Sequence, residues 1–261
     1  MSDILLDVQN LQYLHKTALG RYFHKTPKGM KKFGVEDISF QIKKGYIYGL
    51  VGMNGCGKTT LMNTLVRGDY GRGRVLFDGY DMAENRLKAR DNIGIITQPA
   101  LLLENKSAYE NGKIFGELYT DWNEEAYLKK LEEFEVDKDV ELKKLSRGNV
   151  MRVLAAFAWG HRAKLLIADE PTAGFDPLFR KDFLRFLQEY VEDGEHSVIM
   201  STHLTEDLDK IADYLMIMCE RRIVFDDNML SLKDWGMTVK DLMIKLSRKA
   251  GENHGESEKS I

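Results

Sequence analysis

Short apolar runs separated by turn residues open the chain. Ile4–Val8, Asp37–Ile42 and Tyr46–Val51 predict three strands, the last two divided by Lys43–Lys44–Gly45. Between the first two lies a long connection, Gln9 to Val35, which mixes Lys, His, Gly and Pro with aromatics and reads as a loop or partly ordered insertion. Apolar positions at helical spacing follow over Thr59–Arg67, with Gly68 as the stop. Arg74–Phe77 and Ile93–Thr97 are two further strands.

From about Pro99 to Gly160 the strand-like runs vanish. Ser107–Tyr119, Asn123–Phe134 and Asn149–Gly160 carry apolar residues at helical spacing, and Asp121 is the expected cap of the second. Strand logic returns with Lys164–Ala168 and Ser197–Thr202, apolar runs of the kind buried in a parallel sheet. Pro177–Glu192 between them is amphipathic and helical. Tyr214–Met218 and Arg222–Phe225 form a hairpin across Cys219–Arg221. A last amphipathic stretch, Val239–Arg248, leads into the polar GENHGESEKS, which lacks the apolar residues to fold. The fold class is therefore α/β, a mostly parallel sheet interrupted by a helical insertion.

Composition narrows the classes. Of 261 residues, 43% are apolar and 30% charged, an ordinary globular mix, and the net charge of −3 argues against a nucleic-acid partner. Two cysteines make no disulfide framework and suit a reducing compartment. The opening MSDILLDVQN does not read as a signal peptide. The longest apolar runs, such as Val153–Trp159 and Tyr214–Cys219, fall far short of the roughly 18–20 residues of a membrane helix.

The sharpest chemical signal is Gly52-Met53-Asn54-Gly55-Cys56-Gly57-Lys58-Thr59-Thr60, the pattern G-x-x-x-x-G-K-[ST] set between a predicted strand and a predicted helix. Its glycines let the backbone wrap a phosphate with N–H groups inward, and the helix that follows offers its positive end to the same anion. Lys58 can reach the β- and γ-phosphates and Thr59 can ligate Mg²⁺. Cys56 reads first as a small filler of a variable position. The strand Leu165–Ala168 runs into Asp169 and Glu170, a metal-side carboxylate beside a candidate general base. Neighbouring side chains on an extended chain point apart, so the two acids need not share a role.

With these motifs in place the chain resembles the nucleotide-binding domains of ABC transporters over about residues 4–235. The resemblance implies a P-loop NTPase fold with a mostly parallel core sheet, an antiparallel β-subdomain and a helical subdomain. Residues 4–98 and 161–235 would form the catalytic core with the β-subdomain, 99–160 the helical subdomain, and 236–261 a C-terminal helix and polar tail. ATP and Mg²⁺ are the implied ligands. Thr59, Asp169 and Gln98 are implied at the metal, and Glu170, His203 and Gln98 in catalysis. Leu145-Ser146-Arg147-Gly148-Asn149 resembles the signature sequence whose Ser146 and Gly148 would meet the γ-phosphate held by the opposite subunit. Ala173-Gly174-Phe175-Asp176 is similar to the loop that communicates across the dimer.

Two departures stand out. The family signature usually reads Leu-Ser-Gly-Gly-Gln, whereas here Arg147 replaces the first Gly and Asn149 the Gln. The adenine-stacking aromatic falls among Tyr13, Tyr22 and Phe23, with Tyr13 preferred because it follows the first strand closely. The implied partners are a membrane-spanning transporter subunit and a second nucleotide-binding domain, a homodimer before a heterodimer. The implied place is the cytoplasmic face of the membrane, held there by that partner. Small bacterial exporter ATPases are the nearest type. A soluble ABC-type ATPase and a non-hydrolysing regulatory ATP binder are the alternatives.

Overall fold

The computed structural model describes residues 3–14, 34–68 and 70–246. Two sheets share one body. The larger has the order β10-β9-β3-β8-β7-β6, built from β3 (Ile47–Gly52), β6 (Ile93–Ile96), β7 (Leu165–Asp169), β8 (Ser197–Ser201), β9 (Tyr214–Cys219) and β10 (Arg222–Asn228). Its first five members after β10 run parallel, and β10 returns antiparallel to β9 as the edge strand. Every residue of β3 and β8 is buried, which is why these strands read as continuous apolar runs without alternation.

The smaller sheet is antiparallel, ordered β2-β1-β4-β5 from β1 (Ile4–Leu14), β2 (Gly34–Lys43), β4 (Arg72–Phe77) and β5 (Tyr80–Asp81). In β2, Val35, Ile38, Phe40 and Ile42 point inward while Ser39 and Gln41 face out, the period of two that a half-buried strand demands. The expected Gln9–Val35 connection is shorter than its composition suggests, because β1 continues to Leu14 and β2 begins at Gly34. The reason lies in the register. It slips between Val8 and Leu11, where Asn10 takes a positive φ of 49°, so the alternation breaks in the sequence while pairing resumes in space. Tyr22 and Phe23 lie outside the described residues, as does the polar tail.

Helices pack on both faces of the large sheet. On one side, α1 (Lys58–Arg67) joins the small sheet in burying Leu50, Ile167, Ile199 and Met218. On the other lie α6 (Pro177–Val191), α7 (Thr205–Ile211), α8 (Met229–Asp234) and the helical residues 239–246. A short α2 (Arg86–Asp91) precedes β6, and the insertion contains α3 (Ala108–Gly116), α4 (Glu124–Glu133), a 3₁₀ turn (Leu142–Lys144) and α5 (Arg147–Gly160). Asn123, not Asp121, caps α4: its side chain accepts the Ala126 N–H at 2.9 Å. Helix α5 has two buried faces. Met151, Leu154 and Ala158 face the main core, while Val153, Ala156 and Phe157 meet Tyr127 and Leu131 of the insertion. The insertion is thereby clamped to the sheet through one shared helix.

Candidate nucleotide site

The phosphate loop sits where β3 hands over to α1. A Cβ on Gly52 would collide with the Met218 carbonyl oxygen of neighbouring β9 and lie 2.6 Å from Cys56 Sγ, so only glycine fits beside this strand. Gly55 and Gly57 take φ of +79° and +114°, conformations that bend the chain round a hollow. Gly57 is the N-cap of α1 and brings no side chain to the orphan N–H groups of its first turn. Those donors suit an external anion. Lys58 is buried and its Nζ donates to Gly52 O at 2.9 Å, so the cation lies across the loop's own mouth. Met53 and Asn54 are exposed, and Thr60 is half-buried. Cys56 is buried, which pushes its thiol pKa up against the opposing pull of Lys58.

The parallel strands place three further groups at the same sheet end. Asp169 closes β7 opposite Ser201 at the end of β8. Its Oδ2 accepts from Thr59 Oγ1 at 2.8 Å, and its Oδ1 accepts from Ser201 Oγ in a short bond. Glu170 then turns with a positive φ of 49°, which aims its carboxylate away from that of Asp169. Its backbone N–H bonds to Ser201, and its Oε2 lies 2.6 Å from His203 Nδ1. Nδ1 is the ring nitrogen that meets the carboxylate, which leaves Nε2 on the far side of the ring. The side chain of His203 is 55% exposed and that of Glu170 28%, so the pair opens to solvent.

Other expected residues stand further off. Gln98 lies exposed just past β6, the strand beside β7, and among the described residues no hydrogen bond ties it to Asp169 or Glu170. Ser146 caps α5 by accepting the Asn149 N–H at 3.2 Å. Gly148 is buried as the second residue of that helix, where a Cβ would press on Phe179 at 3.2 Å. Among the described residues no hydrogen bond or ion pair joins either residue to the phosphate loop. Tyr13 is half-buried and pairs with Val35, whose Cγ1 would lie 3.4 Å from a Cβ on Gly57. The end of the small sheet therefore borders the loop.

Sequence reasoning missed Ser201, visible only as the last apolar-strand residue before Thr202. It also missed the buried carboxylate of Asp207, which accepts from Thr172, buried as well, and from the half-buried Arg180. Glu36–Arg221 is a third such contact, at 3.0 Å, bridging the two sheets where the Arg221 N–H also reaches Cys56 O.

The arrangement gathers anion-binding N–H groups, one cation, a hydroxyl–carboxylate pair and a base-like carboxylate. Thr59 Oγ1 and Asp169 Oδ2 are hard oxygens set 2.8 Å apart, a fit for Mg²⁺, which takes few protein ligands and completes its shell with phosphate and water. No cluster of three or more His, Cys, Asp or Glu able to hold a metal by itself occurs among the described residues. Fold and site together define a P-loop ATPase with a helical insertion.

Residues 35–173 match the family model described as ABC transporter. The methionine import ATP-binding protein MetN 1 of Oceanobacillus iheyensis is 33% identical over 85% of this chain and 71% of its own length. The linearmycin resistance ATP-binding protein LnrL of Bacillus subtilis is 32% identical over 74% of this chain and 64% of its own. A dimeric ATP-binding cassette in a post-hydrolysis state, bound to ADP and Pi, superposes with a TM-score of 0.72 at 20% identity, over 86% of this chain and 98% of that one. The chain belongs to the ABC transporter family, as one of its ATP-hydrolysing nucleotide-binding subunits. No helix among the described residues is long and apolar enough to cross a membrane.

Proposed function

We propose that two copies of this chain close head to tail around ATP and drive a membrane-spanning partner subunit, with export as the direction. The observation that carries this reading is the junction at one sheet end: Thr59 bonded to Asp169 at 2.8 Å, and Glu170 to His203 at 2.6 Å. The loop N–H groups of Gly52–Thr60 and Lys58 hold the phosphates, with Met53, Asn54, Gly55, Cys56 and Gly57 supplying backbone. Tyr13 stacks on adenine. Thr59 and Asp169 hold Mg²⁺, with Gln98 reaching in from β6. Mg²⁺, when bound, neutralises charge building on the phosphoryl oxygens.

Glu170 takes the proton of the attacking water, and His203, held through Nδ1, presents Nε2 toward the γ-phosphate. The hydrogen bond of Ser146 goes to its own helix and Gly148 packs on Phe179, contacts away from the chain's own phosphate loop, which supports a role at the ATP of the opposing subunit. Nucleotide that binds only the closed pair stabilises it by mass action, and hydrolysis releases it. The insertion 99–160, clamped to the sheet by α5, is the lever toward the membrane partner. That partner holds the chain at the inner face of the membrane, and no nucleic acid takes part. Export rests on the resistance protein among the relatives; the import protein supports the opposite direction, and uptake into inverted vesicles reads it.

The test is Glu170→Gln. Removing a general base costs about 10²–10⁴-fold in rate, so steady-state ATP turnover should fall by that factor while nucleotide binding persists. Turnover at the wild-type rate would remove Glu170 from the reaction.

A further inference from the structure

Arg147 stands where the family signature carries glycine. It is exposed at the first helical position of α5, directly after the cap Ser146. Among the described residues no carboxylate pairs with it. Arg152, further along the same helix, is engaged by contrast: it reaches Asn149 Oδ1 at 3.4 Å and Asp182 at 3.9 Å. The Arg147 guanidinium lies instead 5.6 Å from the ring centroid of Phe175, with Nη1 3.7 Å from where a Cβ on Gly174 would stand. Gly174 has a φ of +76°, so the loop tip has no side chain there to block the approach. Phe175 is anchored from behind by Phe179, ring centroids 4.3 Å apart.

Two segments are thereby tied within one chain: the start of α5 and the loop Ala173–Asp176, which descends directly from Glu170. The tie is a cation over a ring at an exposed site, a weak contact. A phosphate outbids it, because a charge-assisted, two-pronged bond from a guanidinium to phosphate oxygens is much stronger. The positive N-terminus of α5 and an unpaired guanidinium on the same exposed edge both favour such an anion.

We propose that Arg147 is a binding residue for the γ-phosphate of the ATP held by the opposing subunit, and that its stack on Phe175 is the resting position it leaves on closure. Leaving the ring frees Phe175 and the loop below Glu170, so closure on one nucleotide is felt at the chain's own base. This rests on the dimer-closure reading above and adds a residue to it.

The experiment uses the full chain with Glu170→Gln to keep ATP intact, and follows ATP·Mg²⁺-dependent dimer formation by light scattering. Losing a hydrogen bond to a charged group corresponds to a factor of about ten or more. Arg147→Ala should therefore raise the ATP concentration at half-maximal dimer by about that factor and flatten its dependence on salt. Binding of a fluorescent ATP analogue to the dilute monomer should not change. Arg147→Lys should keep the salt dependence and recover part of the affinity. Phe175→Leu should ease closure only when Arg147 is present, the coupling a double-mutant cycle reads. If Arg147→Ala dimerises at the same ATP concentration and salt dependence as its parent, the proposal is overturned and closure itself stands. If the parent binds ATP yet stays monomeric at saturation, the closure reading falls and takes this proposal with it.

Discussion

Asp207→Asn is the substitution whose cost the structure defines best. Asp207 is fully buried at the start of α7. Its Oδ1 accepts from Arg180 Nη2 of α6 at 2.5 Å, and its Oδ2 from Thr172 Oγ1 at 3.0 Å. One carboxylate thus joins the helix after His203, the turn after Glu170 and the helix under the insertion. The amide keeps the shape but removes the charge, and its NH2 must replace one of the two accepting oxygens, facing either Arg180 or Thr172. Breaking a buried ion pair by removing one partner costs about 3–5 kcal/mol. The side chain of Arg180 retains 23% exposure, so water offsets part of the loss, and about 2–3 kcal/mol is the expected cost. For a chain of this size each kcal/mol moves Tm by about 2–4 °C. A fall of roughly 4–12 °C should appear in thermal unfolding followed by circular dichroism. Adding Arg180→Met, which removes the stranded cation, should recover part of it. A Tm within about 1 °C of wild type for Asp207→Asn would refute the reasoning, because a buried carboxylate with those two partners cannot be energetically silent.

Three further outcomes follow from the same geometry. Burial pushes His161 down from 6.5 to about 4, so between those values the unfolded chain binds a proton that the folded chain refuses. Stability therefore falls as pH drops through that window, and His161→Phe should remove up to about 3 kcal/mol of that slope in urea titrations. Parallel pH curves for the two proteins would contradict it. Gly52→Ala drives a methyl into the Met218 carbonyl, which a strand backbone cannot yield, so it should cost about 1–3 kcal/mol and weaken nucleotide binding; a neutral effect on both would sink that account. Ser146→Ala should cost about 1 kcal/mol through the lost cap, whereas Ser146→Thr should hold stability within a few tenths, both read by chemical denaturation.

Much of this molecule is legible in its sequence because its strongest elements obey simple periods. Strands β3, β7 and β8 are buried on both faces and so read as unbroken apolar runs. The phosphate loop declares itself because glycine and lysine spacing is dictated by local backbone chemistry. What stayed hidden depends on distant partners. The apolar pattern of β1 ends at Val8 because the irregularity at Asn10 breaks alternation where pairing continues. Asp121 looked a good cap, yet the geometry chose Asn123, whose side chain reaches Ala126. Helices α2, α7 and α8 are too short for a periodic signal. Asp207 and Arg180 are separated by 27 positions, and nothing in the intervening sequence marks them as partners. The proximity of Arg147 to Phe175 is likewise a product of folding, since neither residue advertises it.

The central claim is that the turn from Gly52 to Thr60 binds a nucleoside triphosphate through Lys58 and a metal held by Thr59 and Asp169. Calorimetric titration of the purified chain with ATP, with and without Mg²⁺, tests it most directly. The account predicts binding heat that strengthens with Mg²⁺ and disappears in Lys58→Ala while the circular dichroism spectrum is unchanged. Equal heats for wild type and Lys58→Ala, or none from the wild type with the metal present, would contradict it.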